Sequence, residues 1–291
     1  MPTQLLIYES VVPLSAARHR DCSVEIGGSY DFSGKVNSVP LMAVEFPPAT
    51  TEYAIVFAGN DGNLMPAVIL GVRGSENVYL SKENVWEAKY IPAFVRRYPF
   101  VFSTSPDGKQ LILCIDEAFA GFNREGRGQP LFGGDGKPSP YVENVLKFLQ
   151  EFQAQYLRTQ TFCGRLRDLD ILEPMQAQVE LASGERLALG GFMAVSRAKL
   201  KAVPADKLAE LAQTDELELL YLHLQSMRNF LGLRDRLAVV EGGRLAAQSA
   251  ADAEAGTGEV AAGEENATAD GDGNGATAPS GGKRSGRAAA E

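Results

Sequence analysis

The first 116 residues carry their hydrophobic positions in the strand period. "VPLMAVEF" (39–46), "YAIVFA" (53–58), "LMPAVILGV" (64–72), "NVYLS" (77–81), "FVFST" (100–104) and "LILCID" (111–116) are short runs rich in β-branched and aromatic residues. Turn chemistry separates them, as in Asn60-Asp61-Gly62-Asn63 and Pro106-Asp107-Gly108-Lys109. The pattern predicts an antiparallel sheet folded on itself.

Beyond the Gly- and Pro-rich stretch "GRGQPLFGGDGKPSP", the period changes. Ser139 followed by Pro140 reads as an N-cap and first turn, and "YVENVLKFLQEFQAQYLRTQTFCGRL" then sets Val145, Phe148, Leu149, Phe152, Tyr156 and Leu157 on one face of a long helix. A hairpin follows, "MQAQVEL" and "RLALGGFMAV" about a turn at Ser183-Gly184. Two more helices are expected, at 204–213 and 215–237, the second opened by Asp215 with Glu218 three residues on. The fold class is α+β, with a sheet-rich N-terminal half and a helical C-terminal half.

Composition adds a boundary. A chain of 291 residues with 45% hydrophobic and 8% aromatic residues has ample material for a packed core. The last stretch lacks it, because from Gln248 onward there is no aromatic residue and Ala, Gly and acids dominate. Such a segment buries too little to offset its ordering entropy, so residues 1–245 are expected to form one domain and 246–291 a disordered tail.

The tail also accounts for most of the acidity. Its eight carboxylates stand against three basic residues, so it holds −5 of the net −9 and residues 1–247 hold −4. A mildly acidic body argues against a nucleic-acid-binding surface. No stretch approaches the roughly 20 apolar residues of a membrane-spanning helix, and "MPTQLLIYESVVPLSAARHRD" has neither a basic leader nor a cleavage site. The expectation is a cytoplasmic protein with no membrane span. Cys22, Cys114 and Cys163 are isolated, with no C-x-x-C spacing, and read as small buried apolar residues.

One stretch resists a purely structural account. In "YIPAFVRRYPF" (90–100) the adjacent Arg96 and Arg97 are surrounded by aromatic, proline and aliphatic residues, and burying an uncompensated guanidinium is costly. With Asp107-Gly108 as a hairpin turn, Phe102 faces Leu113 and Pro99 faces Asp116, which brings both arginines toward Asp116 and Glu117. Either the arginines pair with those carboxylates and lock the end of the hairpin, or one of them is left to grip an anionic group on a partner. Arg96, Arg97, Tyr98, Asp116 and Glu117 are the candidate binding residues.

The same stretch resembles the signature of the SapC-like bacterial family. Further pieces are similar to that family: "VPL" (12–14) followed by His19, "NSVPLMAVEF" (37–46), "YAIVF" (53–57), "PAVILG" (66–71), "CIDE" (114–117), "GQPLF" (128–132) and "PSP" (138–140). The resemblance covers roughly residues 8–237. It implies an association with bacterial surface-layer assembly, and together with the residues it gives the expectation of a non-enzymatic α+β protein that binds a protein or peptide partner. It supplies no catalytic residue and implies no cofactor.

Catalytic signatures are sparse. No G-x-S-x-G elbow, G-x-x-x-x-G-K-[ST] phosphate loop or G-x-G-x-x-G fingerprint occurs. The two histidines allow one alternative: His19 and Asp21 have the H-x-D spacing of a facial triad, and His223 completes the ligand set of a non-haem iron, oxoacid-dependent enzyme. The competing reading packs His223 in a helix beside Leu220, Met227 and Phe230.

Overall fold

The computed structural model describes residues 5–243, apart from 60, 61, 106, 182 and 183. The expected tail at 246–291 lies outside the described residues, as do parts of the three expected turns (Asn60, Asp61, Pro106 and Ser183). The described chain is α+β.

Three antiparallel sheets form. The smallest strands, β2 (Ser23–Val24), β8 (Phe122–Asn123) and β9 (Gln129–Pro130), run in the order β8-β2-β9. A second sheet has the order β1-β7-β6, from β1 (Val11–Pro13), β6 (Phe100–Thr104) and β7 (Leu111–Asp116). The largest is assembled from both halves of the chain, in the order β10-β11-β4-β5-β3. Its members are β3 (Ser38–Pro40), β4 (Ile55–Ala58), β5 (Met65–Ile69), β10 (Leu172–Glu180) and β11 (Arg186–Val195). The expected C-terminal hairpin is thus present, and Phe192 and Met193 pair with Ala58 and Phe57 to carry it into the N-terminal sheet.

Short helices punctuate the strands: α1 (Ala16–His19), α2 (Phe46–Ala49) and α3 (Ala93–Arg96). The C-terminal part holds α4 (Pro140–Asp168), α5 (Arg197–Ala202), α6 (Ala205–Gln213), α7 (Glu216–Ser226) and α8 (229–243). Ser139 caps α4 as expected, accepting from the Val142 backbone N–H at 3.3 Å. At 29 residues α4 is roughly 43 Å long, and it is shared by two apolar clusters. Val142 and Leu149 pack with Phe100, Ile115 and Phe132, while Phe152, Phe162 and Leu166 pack with Phe46, Phe57 and Tyr53. Each such fully buried side chain contributes about 1.5–3 kcal/mol.

Four local expectations are corrected. The run at 39–46 is strand only through Pro40; Ala43–Glu45 is a 3₁₀ turn leading into α2. Pro47 and Pro48 suit a helical first turn, and the Glu45 carboxylate accepts from Met42 N at 2.8 Å. The run at 77–81 is no strand, because the Asn77 side chain accepts from Tyr79 N at 3.0 Å and closes a local loop, leaving one bridge between Leu80 and Trp86. Leu157 is 55% exposed, and the buried stripe of α4 runs instead through Thr159, whose hydroxyl accepts from Ala43 N at 2.9 Å.

The fourth correction divides the expected 215–237 helix. It breaks at Met227 and Arg228, where Ser226 Oγ accepts from Ile55 N at 3.0 Å and the Asn229 amide donates to Thr50 O and Tyr53 O at 2.8 Å each. The break lets side chains serve the backbone of 50–55, which a continuous helix would leave unmatched. Asp215 makes no cap: only two residues separate α6 from α7, and Asp215 turns the chain with φ 60°.

Candidate functional site

The segment 90–100 is built on a buried carboxylate. Glu45 Oε1 accepts from the Tyr90 hydroxyl and from Ala93 N, each at 2.7 Å, which ties the start of α3 to residues 42–45. Glu45 was not a sequence candidate, although a carboxylate just before Pro47-Pro48 at a helix entry is a capping signal.

Because residues 93–96 form one helical turn rather than an extended run, the two arginines are directed differently. Arg96 is exposed: its Nε donates to Ile91 O at 2.9 Å, and its guanidinium lies 5.5 Å from the Phe148 ring and 5.7 Å from that of Tyr90. Arg97 is 4% exposed. Its guanidinium sits 4.3 Å from the Phe94 centroid, 4.8 Å from Phe152 and 5.6 Å from Tyr8. Burial lowers the Arg97 pKa from its ordinary value, opposed by the Tyr8 hydroxyl, while burial pushes Tyr8 up to about 12. The guanidinium nevertheless remains a cation at neutral pH.

The hairpin register is as the sequence implies, with Phe102 opposite Leu113 and Asp116 N donating to Pro99 O at 2.9 Å. The expected pairing of the arginines with Asp116 and Glu117 is corrected. Asp116, fully buried, accepts from Glu9 N and Ser10 N at 2.8 Å and from Ala118 N at 3.0 Å. Glu117 takes a two-pronged ion pair from Arg18 and a contact from His19 Nε2 at 3.1 Å. Both carboxylates therefore hold the N-terminal segment, since β1 lies on the far side of β7 from β6 and its flanks reach them first. Tyr98 belongs to the packing: its ring stacks on Phe32 at 4.0 Å and meets Tyr8 edge-on at 5.2 Å. Burial raises its pKa, assisted by Asp116.

The iron triad is not assembled. His19 lies beside Phe122 with Nδ1 accepting from Ser15 N at 3.2 Å, and Asp21 is exposed. His223 is buried against Phe57; its Nδ1 donates to Ile55 O at 2.9 Å and its Nε2 accepts from Val195 N at 3.0 Å. Both ring nitrogens of His223 are used by the backbone, and burial lowers its pKa to about 4. Among the described residues no group of three or more His, Cys, Asp or Glu could hold a metal ion.

Arg97 faces a cleft of about 650 Å³. Strands β3, β4, β5 and β6 line it together with α4 and the end of α3, so its walls come from two different sheets. Met42, Met65, Phe94, Phe102 and Phe152 make the lining predominantly apolar, and among the described residues Arg97 is its one charged side chain. A cleft of this size with one fixed cation suits an apolar ligand bearing an anionic group. The sequence signal was the arginine pair, but the strands that complete the cleft lie far apart along the chain.

Comparison with known families settles the lineage. A family model described as SapC matches residues 14–233. The chain belongs to the SapC family. Every residue of the SapC cleft named above falls within the matched span. No curated protein and no solved structure matches the chain. Among the described residues of this SapC protein, no helix is long and apolar enough to cross a membrane.

Proposed function

We propose that this SapC protein is a non-enzymatic binding protein that captures a protein or peptide partner in the cleft beneath residues 90–100, and serves as an accessory factor in bacterial surface assembly. The observation that carries the reading is Arg97, a nearly buried cation on the wall of a predominantly apolar cleft. The Tyr8, Phe94 and Phe152 rings hold that guanidinium in place, and a positioned planar cation beside a cleft suits recognition of an anionic group. Of the five sequence candidates, Arg97 is the residue given the binding role; Tyr98, Asp116 and Glu117 hold the surrounding segments in place, and Arg96 lies outside the cleft lining.

Thr104 lines the cleft and is exposed, so Thr104→Trp fills it from the rim with little risk to the core. Tagged wild-type and Thr104→Trp proteins should be purified side by side from the native bacterium and their co-purifying proteins identified by mass spectrometry. The expected result is a partner recovered with wild type and lost with the filled cleft. A partner set unchanged by the substitution overturns the cleft as the site of capture.

A further inference from the structure

Two strand edges open onto the cleft. Strand β6 is at the edge of its sheet and β3 at the edge of the other. In β6, Asp116 N donates to Pro99 O and Ser105 N to Gln110 O, so the odd-numbered residues carry the hydrogen bonds to β7. The main-chain groups of Phe102 and Thr104 therefore point outward from the sheet edge. Phe100 has the same parity, but its N–H donates to Arg97 O at 2.8 Å and its carbonyl accepts from the Tyr8 hydroxyl at 2.7 Å. In β3, Leu41 N donates to Pro66 O and Leu70 N to Asn37 O, which directs the main-chain groups of Ser38 and Pro40 outward in the same way. Ser38, Pro40, Phe102 and Thr104 all line the cleft.

We infer that the occupant is the free C-terminal end of a partner polypeptide, an extended apolar segment that adds to the β6 edge and presents its terminal carboxylate to Arg97. This rests on the binding role proposed above and names its ligand. Arg97 precedes the start of β6, so a chain whose last residue meets it runs antiparallel to β6, with preceding residues passing Phe102 and then Thr104. Main-chain hydrogen bonds to the edge supply affinity, alternate side chains enter the apolar wall, and the guanidinium selects a chain end over a chain interior. A fatty acid offers the same carboxylate and apolar body. Its hydrocarbon, however, strips water from the edge groups of Phe102 and Thr104 without replacing their hydrogen bonds.

The test uses a pool of acetylated hexapeptides whose last four positions are drawn from Val, Ile, Leu and Phe, made both as free acids and as C-terminal amides. Retention on immobilised full-length protein is read by mass spectrometry, and selected peptides are titrated by fluorescence anisotropy. Free acids should bind at least about tenfold more tightly than the matching amides, as expected for loss of one charge-assisted pair. N-methylation should weaken binding at every second backbone position and have little effect between. Arg97→Gln should remove the preference for acids over amides; if that variant does not fold, the acid–amide comparison on wild type decides alone.

Equal binding of acids and amides, abolished for both by Thr104→Trp, overturns the chain-end inference and leaves the cleft as the binding site. Indifference to N-methylation overturns strand addition, and preference for dodecanoate over every peptide overturns the polypeptide occupant. Retention of no peptide overturns the inference, while a partner lost in vivo with Thr104→Trp would still sustain the function.

Discussion

The carboxylate of Glu45 receives the backbone N–H of Ala93 at 2.7 Å, across 48 residues of sequence. The same side chain accepts from Met42 N at 2.8 Å and the Tyr90 hydroxyl at 2.7 Å, so it fixes the entry to the turn that carries both arginines. Glu45→Ala leaves three donors without this acceptor. A loss of more than about 3 kcal/mol is expected, read as a urea midpoint, with Glu45→Gln milder because one carbonyl oxygen remains. A loss below about 1 kcal/mol would mean the segment is held by other contacts.

Arg97→Lys should cost more stability than Arg96→Lys. Arg97 packs its flat guanidinium against Phe94 and Phe152, a geometry an ammonium does not reproduce, and roughly 1–3 kcal/mol is expected. Exposed Arg96 should change stability by no more than about 0.5 kcal/mol. Equal urea midpoints for the two variants would contradict the different burial of the two side chains.

Thr159→Val keeps the side-chain shape and removes the hydroxyl that accepts from Ala43 N at 2.9 Å. The buried N–H left behind should destabilise the protein by about 1–3 kcal/mol, measured by thermal or urea unfolding. A neutral substitution would show that Ala43 N finds another acceptor.

His223 titrates at about 4 in the folded chain, below its ordinary value of 6.5, because burial disfavours the imidazolium. Between those pH values the unfolded chain binds the proton and the folded chain does not, so stability falls as pH falls. The contribution is fully present above about 6.5 and exhausted near 4, at most roughly 1.4 kcal/mol per pH unit for one proton. His223→Gln, which cannot titrate, should flatten the urea midpoint profile over that window. Parallel profiles for the two proteins would assign the acid sensitivity to other groups.

Much of the local structure is legible in the residues themselves. Ser139-Pro140 announces α4, and the strand runs flanking Asp107-Gly108 fix the register of β6 against β7, because capping and turn chemistry act over a few positions. The cleft was not legible for the opposite reason. Its walls require β3, β4 and β5 of one sheet, β6 of another and the middle of α4 to converge, and periodicity carries no information about which distant elements become neighbours. The arginines show the boundary within one segment: their unusual setting was visible, yet one helical turn at 93–96 sent them to different surroundings. Asp116 and Glu117 went to Glu9, Ser10, Arg18 and His19, whose proximity depends on where β1 is added.

Because α4 is embedded in both apolar clusters, neither can melt while the helix stays intact. Val142 and Leu149 at one end and Phe162 and Leu166 at the other share a single hydrogen-bonded backbone. The described body should therefore give one calorimetric transition, and amides from the middle of α4 should exchange with deuterium only through global opening. Damage to Phe132 at one end is then transmitted to the denaturation temperature of residues packed around Phe57 at the other.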